Sequence, residues 1–144
     1  MTPPFLKPND QIRIVSPSGS IESKYIVGAK KTLSSWGLNA TEGKFARTKY
    51  GRFAGSEAQR IADLQEALDD PSVNAILCSR GGYGVAQIID KLDFSTFVKS
   101  PKWLIGFSDI TILHNAINNL GIASIHGIMA KHLTQFSLDS IHVQ

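Results

Sequence analysis

"WLIGFSDITILH", residues 103–114, decides the reading of the fold. An apolar run, 103–105, meets Gly106, then Phe107, then a serine backed by an aspartate. Apolar residues at helical spacing follow at once: Ile110, Leu113, Ala116, Ile117 and Leu120. A buried strand that turns sharply into an amphipathic helix is the unit from which parallel sheets are built. The spacing predicts a helix over 109–120, closed by Gly121.

The same order recurs on the N-terminal side. "QIRIVSPSG" sets Ile12, Ile14 and Val15 ahead of Pro17 and Gly19, a short strand and its turn. Ile21, Tyr25, Ala29, Leu33 and Trp36 then share one helix face, which Gly37 ends. "LNATEG" is a weak second strand. "KFARTKYGRFAGS", 44–56, interleaves basic and aromatic residues and reads as a long exposed loop. Ser56, with Gln59 three residues on, forms a capping box for a helix whose buried stripe is Ile61, Leu64 and Leu68. Pro71 stops it. "VNAILCS" is apolar on both faces, as a central parallel strand is. "RGGYG" leads into a short helix through Val85, Ile88 and Ile89, and "IASIHG" is the last strand. This alternation argues for an α/β domain with a parallel sheet, right-handed crossovers and helices on both faces.

Composition narrows the function. The chain has 144 residues, enough for one domain with its own core. Its net charge is +3, with Lys and Arg scattered rather than gathered into an arm, so no nucleic-acid partner is expected. Cys78 is the single cysteine, has no disulfide partner within the chain, and reads as a small core hydrophobe in a reducing compartment. There is no basic region followed by an apolar one at the N-terminus, and no run near the ~20 apolar residues of a membrane span. The expectation is a soluble, cytoplasmic chain with no membrane partner. No His, Cys or Asp cluster has zinc spacing, so neither metal nor cofactor is expected.

Ligands of such sheets bind beyond the carboxyl ends of the strands. Three turns lie there: "SPSGS", "SRGGYG" and "GFSDIT". In "GFSDIT" the strand-to-helix turn pushes the Ser108 side chain out of the sheet, beside the unpaired N–H groups of a helix start. That suits a nucleophile; it equally suits an N-cap, with Ser108 or Asp109 closing its own helix. The pattern is not the G-x-S-x-G elbow, since Ile110 stands at the second glycine. In "SRGGYG" the glycines permit a close-approaching, anion-binding backbone, and Arg80 suits a carboxylate or phosphate. Ser16, Ser18 and Ser20 serve as turn and cap residues or line a rim. His114 falls six residues after Ser108, about 9 Å along a helix axis, too far for a hydrogen bond to it. His126 ends the last strand and reads as a pocket wall more readily than a base. His132 and His142 fall in a segment without clear pattern. A nucleophile and its donors are legible; a convincing base is not.

With these residues assembled, the sequence resembles the LD-carboxypeptidase family of serine peptidases, which includes the microcin-immunity peptidases. The resemblance rests on four ordered blocks: "LKPNDQIRIVSPSG", "GRFAGSEAQRIADLQEALDDPSVNAILCSRGGYG", "KWLIGFSDITILH" and "HGIMA". It implies a flavodoxin- or Rossmann-like N-terminal nucleophile domain over 1–130, with 131–144 beginning a linker. It implies Ser108 as nucleophile, the backbone N–H groups of Asp109 and Gly82 as oxyanion hole, and Arg80 in the substrate cleft. Gly81, Tyr83 and Ser18 are expected at the substrate-facing surface beside them. His126 matches the histidine of an H-G-P motif whose proline is here Ile128. The implied triad glutamate and histidine belong to a C-terminal domain that the chain does not include. The 144 residues alone are therefore expected to be nearly inactive and to self-associate weakly through apolar surface meant for that domain. The expected reaction is release of terminal D-alanine from a murein tetrapeptide during cell-wall recycling. Expected partners are the murein-derived peptide, the C-terminal domain and, at full length, a second copy. Two rivals stand beside this: hydrolysis of peptidyl or aminoacyl nucleotides, as in microcin-immunity members, and a non-catalytic anion-binding module.

Overall fold

A computed structural model describes residues 1–135 of the chain, with side chains through Leu133. His142 lies outside the described residues. Five parallel strands form one sheet: β1 (Gln11–Val15), β2 (Asn39–Glu42), β3 (Ala75–Cys78), β4 (Trp103–Gly106) and β5 (Ile125–His126). Their order is β2-β1-β3-β4-β5, the doubly wound flavodoxin-like order. The chain runs outward from β1 to β2, then returns past β1 to β3, so the order reverses between β1 and β3. Ile14 is in register with Leu77, Leu77 with Ile105, and Ile105 with Ile125.

Strand alternation divides the core in two. In β3, Ile76 and Cys78 face one layer while Ala75 and Leu77 face the other. The first layer is closed by α2 (Glu57–Asp69), α3 (Val85–Ile88), α4 (Ser95–Lys99) and α5 (Thr111–Asn119) through Leu64, Leu68, Val85, Phe97, Leu113 and Ile117. The second is closed by α1 (Ser23–Ser35) and α6 (Ala130–Gln135) through Ile26, Ala29, Leu33 and Leu133. Each fully buried aliphatic or aromatic side chain contributes about 1.5–3 kcal/mol of transfer free energy. Cys78 is fully buried, and burial pushes its thiol up to about 12.

Helix α2 is bounded by local chemistry. Ser56 Oγ accepts the Gln59 N–H at 3.2 Å and Gln59 Oε1 accepts the Ser56 N–H at 3.0 Å, the reciprocal box read from the sequence. At its other end Lys102 Nζ donates to the Ala67 carbonyl at 2.9 Å, satisfying an orphan acceptor of the last turn. Two expectations change. Where a linker was expected to begin, residues 131–135 continue α6, which packs against α1. The 44–56 stretch is not merely exposed: Ala46 and Ala54 are buried, and backbone pairing joins Gly19 to Phe53. Among the described residues no helix is long and apolar enough to cross a membrane.

Candidate active site

The turns after β1, β3 and β4 meet at the carboxyl end of the sheet, beside the point where strand order reverses. Ser108 opens a 3-10 turn (Ser108–Ile110) that leads into α5, and its φ is 62°. A non-glycine residue held there costs about 1–2 kcal/mol. The side chain is exposed, and among the described residues its hydroxyl has no hydrogen-bond partner. It does not cap the helix that follows. The Gly81 backbone passes close against it. A Cβ on Gly81 would lie 3.2 Å from Ser108 Cβ and 3.3 Å from its Oγ, so a side chain there would crowd the hydroxyl. Gly82 follows at φ 107°, a conformation that glycine adopts without strain. Among the described residues neither the Gly82 N–H nor the Asp109 N–H has a hydrogen-bond acceptor.

Asp109 behaves otherwise. Its Oδ2 accepts the Ser18 hydroxyl at 2.6 Å and the Val85 N–H at 3.0 Å. The carboxylate therefore caps α3, not its own helix, and ties all three turns together. Ser18, expected at the substrate-facing surface, is fully buried and its hydroxyl proton is committed to Asp109, so it acts as a strut. Ser16 is buried as well, donating to the Ala46 carbonyl at 2.7 Å.

A second brace went unread in the sequence. Arg60, on α2, is only 2% exposed. Its guanidinium donates to the carbonyls of Pro17 at 3.2 Å, Gly84 at 2.9 Å and Gly55 at 3.3 Å, and to Gln87 Oε1 at 2.6 Å. Burial lowers its pKa, while the charges of Glu57 and Asp109 oppose that shift. An arginine one residue before the apolar stripe was its only sequence signal.

Arg80 donates to the Ser20 carbonyl at 3.1 Å. With Gly81, Gly82, Ser108, Lys131 and His132 it lines a hollow of about 180 Å³. Tyr83 is 45% exposed and faces the adjoining hollow, its ring under the Arg52 guanidinium at 5.0 Å.

The histidines separate. His114 is buried; Nε2 meets the Gly106 carbonyl at 2.8 Å and Nδ1 the Ser124 hydroxyl at 2.6 Å. A carbonyl only accepts, so Nε2 carries the proton and Nδ1 accepts from Ser124, and both ring nitrogens are occupied. His126 stacks against Phe107 and His114 at 6.0 and 5.9 Å and does not line the Ser108 hollow. His132 does line it, beside the Phe107 ring at 5.2 Å, with Nδ1 accepting the Met129 N–H at 3.1 Å. Helix α6, anchored by Ala130 and Leu133 in the second layer, brings it there, although its segment carries no clear pattern in the sequence.

Comparison with known proteins agrees with this geometry. A family model described as the LD-carboxypeptidase N-terminal domain matches residues 12–127, a span that contains all three turns. The chain is 37% identical over 141 residues to the probable murein peptide carboxypeptidase of Bacillus subtilis, covering 97% of this chain and 44% of that protein. It is 34% identical over 124 residues to the murein tetrapeptide carboxypeptidase of Pseudomonas aeruginosa, covering 85% and 40%. Among solved structures, an MccF-like protein from Bacillus anthracis superposes with a TM-score of 0.88 at 33% identity, covering 95% of this chain and 43% of that one. The chain thus spans about two-fifths of the length of these curated relatives. The motifs, the strand order and the matched span agree: this chain belongs to the LD-carboxypeptidase family and carries the fold of its N-terminal domain.

Proposed function

We propose that, in its full-length protein, this chain supplies the nucleophile half of a serine carboxypeptidase that releases terminal D-alanine from murein tetrapeptide in cytoplasmic cell-wall recycling. One observation carries the reading: an exposed serine hydroxyl on a strained turn, without a partner among the described residues, beside the N–H groups of Asp109 and Gly82, which have no acceptor among them either. Ser108 Oγ attacks the scissile carbonyl while a base takes its proton. The carbonyl oxygen becomes an oxyanion that the two N–H groups stabilise. The intermediate then collapses, the D-alanine amine leaves with a proton, and water hydrolyses the ester on Ser108. Arg80 holds a substrate carboxylate in the same hollow.

The base is drawn from outside the described residues, from the family's second domain. His114 is not available, because both of its ring nitrogens are already bonded. Residues 1–144 alone are therefore expected to release D-alanine at a rate near background. The test is D-alanine release from murein tetrapeptide by the full-length protein. Ser108→Ala is expected to lower kcat at least about 1,000-fold; undiminished activity in that variant overturns the reading. A second substrate, a peptidyl or aminoacyl nucleotide, belongs in the same assay, because the chain's likeness to the MccF-like structure favours it as the alternative.

A further inference from the structure

Next to the Ser108 hollow lies a second one of about 400 Å³, and Arg80 and Gly82 line both. Its lining includes Lys49, Arg52 and Arg80 and no acidic residue. Among the described residues, Lys49 and Arg52 form no ion pair and no side-chain hydrogen bond, and Arg80 bonds only to the Ser20 carbonyl. The nearby carboxylates pair with other cations: Glu22, which lines a neighbouring hollow with Lys49 and Arg80, with Lys24, Glu42 with Arg47 and Lys30, and Glu57 with Lys91. Three uncompensated cations around one concavity repel one another, and an anion is the group that relieves the repulsion.

Two of the cations are also held in place, Arg80 by the Ser20 carbonyl and Arg52 by its turn. Tyr50 and Phe53 exchange backbone hydrogen bonds at 2.9 and 3.0 Å, closing a two-residue turn with Arg52 at its tip. The Ser20 N–H donates to the Arg52 carbonyl at 3.0 Å, and the Ala54 N–H to that of Ser18 at 3.0 Å. The turn is thereby stitched to the β1 loop. The Arg52 guanidinium carbon lies over the Phe53 and Tyr83 rings at 5.3 and 5.0 Å from their centroids. These cation–π contacts position the charge without engaging its N–H donors in hydrogen bonds. A merely solvated basic face does not require such fixing.

We propose that Lys49, Arg52 and Arg80 form a second, anion-selective subsite that binds a carboxylate or phosphate of the ligand remote from the bond presented to Ser108. The proposal rests on reading the Ser108 hollow as the substrate cleft, and it adds the substrate class: a ligand carrying a further anionic group. Carboxylate and phosphate share the chemistry, so the test separates them.

Binding is measured by calorimetry on the full-length protein in a Ser108→Ala background, which avoids turnover. One arm compares an acetylated tetrapeptide bearing glutamate at its second position with its glutamine counterpart. The other compares AMP with adenosine. In at least one arm the anionic probe is expected to bind about tenfold tighter than the neutral one, and that arm names the source. In Lys49→Gln/Arg52→Gln the ratio is expected to fall below about threefold, with Lys49→Gln alone intermediate. Lys49 is exposed and unpaired, so this single variant keeps the test interpretable should the double variant not fold. Equal binding of both members in both arms, no binding by any probe, or a ratio unchanged in the variants overturns the proposal. Loss of D-alanine release in Ser108→Ala is read separately, so the subsite and the hydrolytic reading can fail independently.

Discussion

Ser108 and Asp109 are neighbours in the chain and opposites in use. Asp109, half-buried, belongs to an inner brace with the buried Ser18 and Arg60, where polar groups are hydrogen-bonded within the protein. Ser108 belongs to an outer rim with Arg80, Lys49 and Arg52, where hydroxyl and guanidinium groups stand with few protein partners or none. The brace ties three loops together through hydrogen bonds; the rim keeps its groups available for a ligand. A single motif such as "GFSDIT" thus carries one residue for stability and the next for chemistry. Backbone strain and spare polar groups accumulate on the reacting side, while their cost is offset behind it.

The sharpest way to break this distinction is to compare two arginines. Arg60→Ala leaves the carbonyls of Pro17 and Gly55 without their donor, takes one of two donors from that of Gly84, which keeps the Gln87 N–H, and opens a void. At about 1–3 kcal/mol for each unsatisfied buried group, a loss of about 3 kcal/mol or more is expected in urea unfolding. Arg80→Ala removes one hydrogen bond at the rim and is expected to cost no more than about 1 kcal/mol. Equal losses would erase the division between brace and rim. Asp109→Ala comes next, at about 2 kcal/mol, since it strands the Ser18 hydroxyl and the Val85 N–H. Asp109→Asn keeps an acceptor oxygen and is expected to cost about half as much; an equal loss would show that charge, not geometry, carries the brace.

At Ser108 the sign reverses. Glycine adopts φ 62° without the Cβ penalty, so Ser108→Gly is expected to stabilise the domain by up to about 1 kcal/mol. The same change removes the hydroxyl on which the proposed reaction depends. A thermal melt on the variant decides: a lowered midpoint would mean that the serine is a structural residue after all.

Most of the fold was legible because it rests on periodicity. The continuous apolar run of β3, the capping box of α2 and the strand–turn–helix at 103–114 each encode a local rule, and each formed where expected. The three turns were legible for the same reason, since they follow the strands. The brace was not. A buried Arg60 bonded to three loops depends on contacts 24 and 43 residues away, which no local pattern reports. Asp109 misled in the same way: its spacing reads as a cap for its own helix, and only the tertiary approach of Val85 makes it the cap of another. The 44–56 stretch reads as exposed because its residues are polar; its backbone pairing with the β1 loop is invisible until both are placed.

The smallest effect probes the brace where it holds that stretch. Asp63, buried on α2, accepts the Phe45 N–H through Oδ2 at 2.8 Å. Burial raises its pKa above the ordinary 3.8, and the Phe45 hydrogen bond opposes the shift without cancelling it. The folded state therefore holds this proton more tightly than the unfolded chain does. Between 3.8 and the raised value the native state binds more protons, so this residue's contribution to stability falls as pH rises. Asp63→Asn retains an acceptor for Phe45 and cannot titrate. Whatever its offset at acid pH, its stability relative to the parent chain is expected to improve as pH climbs from 3.8 toward neutrality. Urea unfolding of both chains across that range reads the effect. A difference that stays flat with pH, or moves the other way, would mean that the carboxylate is as well solvated as the rim and does not belong to the brace.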